Sequence, residues 1–180
     1  MKYATIKKYD VANGPGVRVS IFVSGCNHHC KGCFNEEAWD FNYGTEFTDE
    51  TISIIIDAMR PDYISGLSIL GGEPFEHVNQ VGLLTLVKRV KEVYPYKDIW
   101  AYSGFLFDRD IVGKQSKIFP ETSELLKYID VLVDGKFIED KKNPNLYFRG
   151  SSNQRIIDVK ESLEFGEVSE IIMEKEKVLC

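Results

Sequence analysis

The feature that most constrains this chain is an eight-residue run, Cys26 to Cys33, which holds three of its four cysteines. Three and then two residues separate these cysteines. Thiolates are soft metal ligands, and a metal centre takes up the negative charge that such crowding creates. The spacing therefore favours a metal centre bound within one loop by Cys26, Cys30 and Cys33.

Other arrangements of these cysteines are weaker alternatives. A disulfide would leave one of the three unpaired, and nothing in the chain resembles a secreted protein. Zinc needs four ligands, and His28 or His29 could supply the fourth, but structural zinc sites usually combine two ligand pairs from separate parts of a chain. A four-iron cluster held by three cysteines keeps one iron open, as a catalytic metal site does. The spacing thus favours a cluster that carries out chemistry.

Length and charge limit the class of protein. A chain of 180 residues suits one domain, and we expect a single domain over 1–180. The formal net charge of −6 does not indicate a nucleic-acid surface. No apolar run approaches the ~20 residues of a membrane span, and the N-terminus lacks a signal-peptide core. We expect a soluble cytoplasmic protein with no nucleic-acid or membrane partner.

Strand and helix patterns alternate along the chain. Apolar and β-branched runs predict strands at 17–23, 66–70, 99–102 and 131–133, and helical spacing predicts helices after Thr48 and over 78–94 and 121–128. Such alternation implies parallel strands joined by right-handed crossovers. The chain is too short for a full barrel of ~250 residues. We therefore predict an α/β fold with a mostly parallel sheet, arranged as a partial (open) β/α barrel.

Four polar or glycine-rich segments each follow a predicted strand. They are the cysteine loop, Gly71–Glu73, Ser103–Gly104 and Asp134–Lys136. In parallel sheets, ligands bind at the C-terminal ends of the strands. We therefore expect all four segments to meet at one edge of the sheet.

The cysteine spacing, in a loop after an apolar strand, resembles the cluster motif of the radical S-adenosylmethionine enzymes. Flanking segments resemble the glycyl-radical-enzyme activases, in particular those that act on anaerobic ribonucleoside-triphosphate reductase: 13–18, 33–39, 71–74, 130–137 and 149–154. The similarity runs in matching order from about Tyr9 to about Arg155. A pyruvate formate-lyase activase and a non-catalytic zinc or iron–sulfur module remain alternatives.

This resemblance implies two cofactors, a 4Fe–4S cluster on the three loop cysteines and S-adenosylmethionine on the open iron. Reductive cleavage would give methionine and a 5′-deoxyadenosyl radical, which would remove a hydrogen atom from a backbone glycine of the reductase. That reductase would thus be the protein partner, and a flavodoxin or ferredoxin the reductant. The sequence leaves the oligomeric state open, a homodimer included.

The resemblance also implies contacts to S-adenosylmethionine. Gly32, Cys33 and Phe34 would contact its adenosyl group, although Phe34 could instead be a core aromatic. Gly72 and Glu73 would receive its amino group, because glycines expose backbone carbonyls and a carboxylate balances the charge. The same residues could form only a strand-ending turn before Pro74.

Asp134 and Lys136 match an Asp-x-Lys element of the related activases. Asp134 would accept the ribose hydroxyls, and Lys136 would neutralise the methionyl carboxylate. Asp134–Gly135 is equally typical of a hairpin turn. His28, His29 and His77 are expected at the surface or in loops. The role of 149–155 is open, 171–173 is a candidate last strand, and Cys180 is expected to be a free thiol.

Overall fold

The computed structural model describes residues 1–173, whose strands form one continuous sheet. The strand order is β3-β1-β2-β4-β5-β6-β7-β8. The bounds are β1 (Lys2–Asp10), β2 (Val17–Val23), β3 (Thr45–Glu46), β4 (Ile64–Gly71), β5 (Asp98–Tyr102), β6 (Val131–Asp134), β7 (Arg155–Asp158) and β8 (Ser169–Glu170).

Helices fill the connections between these strands. They are α1 (Asp49–Ala58), α2 (His77–Val93), α3 (Ser116–Ile118), α4 (Pro120–Leu126) and α5 (Val159–Phe165). A π-helical stretch spans Phe107–Gln115, and 3₁₀ turns span Glu36–Trp39 and Glu139–Lys141. The helix α1 starts where expected, because the Thr48 N–H donates to the Thr51 hydroxyl at 3.1 Å.

The predicted α/β class is confirmed, but the prediction of a mostly parallel sheet is wrong. Only β2, β4, β5 and β6 run parallel to one another, whereas the strands on both sides of this group pair antiparallel. The error came from missing β1 and β7. The strand β1 lies near the sheet edge and is half exposed. Its lysines interrupt the alternation of apolar and polar residues by which a strand is predicted. The partial barrel stays a prediction.

The helices cover one face of the sheet. Alternate strand residues such as Ile21, Ile69 and Leu132 are fully buried there against the apolar sides of the helices, including Ile55 and Leu86. This packing supplies the main core. None of the helices described over 1–173 is long and apolar enough to cross a membrane.

The opposite face of the sheet is covered differently. Trp100, Val133 and Ile156 form a smaller apolar cluster, against which Phe148 and Met173 pack. Part of this face stays open and forms a cavity at the C-terminal ends of the parallel strands. The proposed last strand at 171–173 is not a strand; β8 ends just before it, and the Ile171 N–H donates to the Ile156 carbonyl at 2.7 Å. Cys180 lies outside the described residues.

Candidate functional site

The cysteine loop follows β2 and forms one wall of the cavity. Cys26 is buried, whereas Cys30 and Cys33 are partly exposed, and all three line the cavity. The Cys33 N–H donates to the Cys30 carbonyl at 3.1 Å, and Gly32 between them has φ +71, which favours glycine. The loop therefore presents all three sulfurs toward one space.

Cys26 and Cys30 are held in surroundings that oppose ionisation of their thiols. Burial raises the pKa of Cys26 to about 11, against the backbone N–H groups of His28 and His29, which favour the thiolate. Burial also raises the pKa of Cys30, and the nearby Cys33 adds to the effect while Lys136 opposes it. A metal centre must displace the protons of these thiols. Its positive charge would stabilise the thiolates, which the buried surroundings do not.

The donor set fits an iron–sulfur cluster. Within residues 1–173, no three cysteine, histidine or carboxylate side chains converge on a ready-made point for one metal ion. Cysteines that each cap a different iron do not need to converge on one point. Three thiols around one cavity, with solvent access on the far side, are suited to hold a cluster whose fourth iron faces the cavity.

The segment after β4 is bonded directly to the cysteine loop. The Gly72 N–H donates to the Val23 carbonyl at 2.7 Å, and the Glu73 N–H donates to the Gly25 carbonyl at 2.8 Å. A Cβ at Gly72 would lie 2.6 Å from the Gly25 carbonyl oxygen, so only glycine fits this approach. The site residues Gly72 and Glu73 are thus fixed beside the cysteines.

Glu73 is fully buried, although it lines the cavity. Its carboxylate accepts four hydrogen bonds at 2.7–2.8 Å, from the Phe75 and Gly104 N–H groups, the Ser103 hydroxyl and the His28 ring. The predicted neutralisation of an amino group by Glu73 stays a prediction. The structure adds a second role, because this one carboxylate joins the loops that follow β2, β4 and β5.

The structure separates Asp134 from the cavity. Asp134 is fully buried and is absent from the cavity wall, which its neighbour Gly135 lines. Its carboxylate accepts hydrogen bonds from the Phe107 N–H at 2.7 Å and the Arg155 guanidinium at 2.9 Å. These partners occupy the oxygens that were expected to receive the ribose hydroxyls. Lys136 is also absent from the cavity wall, but it is exposed and lies close enough to Cys30 to oppose the effect of burial on the pKa of that thiol.

Phe34 and Gly32 both line the cavity. Phe34 is 81% exposed, so the alternative that it is a core aromatic is wrong. An apolar ring this exposed beside Cys33 is available to a bound ligand or partner.

The segment of unknown role, 149–155, lines part of the cavity through Arg149, Gly150 and Gln154. The Gln154 amide donates to the Gly135 carbonyl at 3.0 Å and accepts from the Gly150 N–H at 2.8 Å. The Asn153 amide donates to the Lys136 carbonyl at 2.9 Å. These amides hold the loop after β6 in place, and Arg149 lines the cavity beside them.

Sequence reasoning missed two residues of the site. His28 was expected at the surface or in a loop, but its side chain is almost completely buried against Glu73. Tyr102, the last residue of β5, lines the cavity with a buried hydroxyl that has no hydrogen-bond partner within residues 1–173. The position of His28 between Cys26 and Cys30, two predicted cluster ligands, was the signal in the sequence, and it did not distinguish a ring that points inward from one that points outward.

Comparisons with known proteins agree with this geometry. Residues 12–157 match a family model described as a 4Fe-4S single cluster domain. The chain is 42% identical over 158 residues to an anaerobic ribonucleoside-triphosphate reductase-activating protein of Haemophilus influenzae, covering 87% of this chain and 97% of that one. Relatives with the same name in Escherichia coli K12 and phage T4 are each 39% identical over 156 residues, covering 96% and 93% of their lengths.

Proposed function

Since the chain belongs to the family of anaerobic ribonucleoside-triphosphate reductase-activating proteins, we propose that it generates a glycyl radical on such a reductase, using a 4Fe–4S cluster and S-adenosylmethionine. Cys26, Cys30 and Cys33 are the proposed cluster ligands. Three ligands leave one iron free for the amino group and carboxylate of S-adenosylmethionine. The fold accompanying this proposal is a partial barrel of the radical S-adenosylmethionine type.

The chemistry that the bound cofactors supply is one-electron cleavage of a carbon–sulfur bond, followed by removal of a hydrogen atom from a reductase glycine. The protein contributes position and exclusion of water. Gly72 gives close backbone approach, Gly32 and Phe34 face the adenosyl group, and Lys136 faces the methionyl carboxylate. Asp134 contributes by holding the loop after β6 through Arg155, rather than by direct contact.

One observation carries the proposal: the loops that follow β2, β4, β5 and β6 all border a single cavity of about 410 Å³ that contains the three thiols. This volume lies within the range of small-molecule sites, roughly 300–1,000 Å³. Phe34 lines the cavity and is largely exposed, so we expect a glycine-bearing segment of the reductase to enter past it. A flavodoxin or ferredoxin is the proposed electron donor.

Anaerobic reconstitution tests the proposal. The loaded protein should contain about four irons and four sulfides per chain, and a reductant should convert S-adenosylmethionine to methionine and 5′-deoxyadenosine. Adding the reductase should produce a glycyl radical signal in electron paramagnetic resonance (EPR) spectra. A chain that binds one zinc without sulfide would overturn the proposal in favour of a non-catalytic module. A radical formed on pyruvate formate-lyase but not on the reductase would overturn the choice of partner.

A further inference from the structure

His28 lies between Cys26 and Cys30, yet its ring points away from solvent. Its side chain is 8% exposed, and its Nε2 is 2.8 Å from Oε2 of Glu73, whose side chain is 1% exposed. An ionised carboxylate can only accept hydrogen bonds, so Nε2 carries the proton of this contact. The ring packs edge-on against Phe105, with centroids 4.4 Å apart.

The loop after β5 is shaped to receive this ring. A Cβ placed on Gly104 would lie 2.4 Å from the imidazole of His28, so the ring occupies the space that a side chain would need. The Gly104 N–H donates to the same Glu73 oxygen at 2.7 Å. His28 and Gly104 therefore converge on one carboxylate oxygen from two different loops.

The main chain of His28 acts on a cluster ligand at the same time. Its backbone N–H, with that of His29, is directed at the Cys26 sulfur. One residue thus contacts the Cys26 sulfur through its backbone and Glu73 through its ring. Glu73 is in turn bonded through its N–H to Gly25, one residue before Cys26.

We propose that His28 is a positioning residue, which fixes the cysteine loop against the Gly72–Glu73 and Ser103–Gly104 loops and so aligns the cluster ligands with the residues proposed to hold S-adenosylmethionine. The inference rests on the proposed function and adds to it His28, a residue that is not one of the proposed cluster ligands. Without the ring, Glu73 keeps three donors and the cysteines keep their loop. The cluster should therefore still assemble, while the position of the cysteine loop relative to the Gly72–Glu73 loop becomes variable.

The test compares variants at neighbouring positions of the same loop. His28→Ala removes the contact to Glu73, whereas His28→Gln keeps an amide N–H at a reach close to that of Nε2. His29→Asn is the matched control, because His29 is exposed, packs edge-on against Trp39 with ring centroids 4.6 Å apart, and has φ +48, which asparagine tolerates. Each reconstituted protein is measured for iron and sulfide content, and for the change in its EPR spectrum as S-adenosylmethionine is titrated.

We expect full iron and sulfide in all three variants. The Kd for S-adenosylmethionine should rise about tenfold in His28→Ala, the loss typical of one hydrogen bond to a charged group, and should be largely restored in His28→Gln. His29→Asn should bind as the unsubstituted protein does. An unchanged Kd in His28→Ala overturns the inference, as does loss of the cluster in His28→Ala and His28→Gln alike, since His28 would then only stabilise the loop. If the unsubstituted protein assembles its cluster but does not respond to S-adenosylmethionine, the proposed function fails and the inference falls with it.

Discussion

The Arg155 guanidinium lies against the Asp134 carboxylate, with Nε 2.9 Å from Oδ1, and the two residues are direct partners in the antiparallel pairing of β6 and β7. The hydrogen bond to Asp134 raises the pKa of Arg155 above its already high usual value. Asp134 is fully buried, so Arg155 and the Phe107 N–H are what make its charge tolerable there.

This pairing gives a prediction about Asp134→Ala. Removing the carboxylate leaves the half-buried Arg155 with the exposed Asp108 as its one remaining ionic partner among residues 1–173, and the free energy of unfolding of the metal-free protein should fall by about 3 kcal/mol. Chemical denaturation measures this loss. Asp134→Asn, which keeps an acceptor for Phe107, should lose less. If the variant were as stable as the unsubstituted protein but bound S-adenosylmethionine more weakly, the hypothesis of a direct contact between Asp134 and the ribose hydroxyls would be supported instead.

Lys136→Met tests the proposed contact to the methionyl carboxylate. The variant keeps the unbranched stem but removes the charge, and the Kd for S-adenosylmethionine should rise roughly ten- to a hundredfold, because a charge-assisted contact is lost. The cluster should assemble normally. Lys141→Met is the control, since Lys141 is exposed in the same connection between β6 and β7 but, unlike Lys136, is not among the groups that shift the pKa of Cys30. Equal affinities in the two variants would leave Asp134–Gly135 as a turn without a cofactor role.

The cysteines give a prediction about cluster assembly. Cys26→Ala, Cys30→Ala and Cys33→Ala should each abolish reductive cleavage of S-adenosylmethionine, because only these three cysteines share the cavity loop. Cys180→Ala should retain both the cluster and cleavage, as expected from its distance in sequence. Iron content and product analysis after anaerobic reconstitution measure both effects. Retention of the cluster in any loop variant together with its loss in the Cys180 variant would refute the ligand assignment.

The lowered pKa of Asp130 predicts how the free energy of unfolding depends on pH. Burial opposes ionisation of its carboxylate, but the Lys160 and Lys91 ammonium groups and the Ile99 N–H outweigh burial and lower its pKa. Because the pKa of Asp130 is lower in the folded than in the unfolded protein, the ionised carboxylate stabilises the fold at pH values above the unfolded-state pKa of ~3.9. This contribution disappears as the pH falls through the folded-state pKa. Asp130→Asn should therefore cost about 2 kcal/mol at neutral pH, and progressively less below about pH 4.

Denaturant titrations at a series of pH values test this dependence. Asp57→Asn is the control, because Asp57 forms only an exposed pair with Arg60 and such pairs contribute little. A difference between the Asp130 variant and the unsubstituted protein that stayed constant down to pH 3 would contradict the assignment of the stabilisation to the ionised carboxylate.

The sequence by itself determined the features that depend on neighbouring residues. The cysteine spacing within one loop, the strand at Val17–Val23 and the glycines after β4 all follow from local chemistry and local periodicity. Because parallel strands present their C-terminal ends together, the meeting of four loops at one edge also followed from the order of the elements. The family resemblance added the cofactors and the partner.

Only the tertiary structure decided how distant side chains pair. Glu73 lies 45 residues from His28, and Asp134 lies 21 residues from Arg155, so no local pattern reports either contact. The strands β1 and β7 run antiparallel to β2 and β6, the neighbours that they join. The half-exposed residue pattern of β1 does not specify which neighbour it joins. Local periodicity fixes the face of an element on which a side chain lies, whereas long-range register fixes its partner. These partners determined whether Glu73, Asp134 and His28 face the cavity or support its wall.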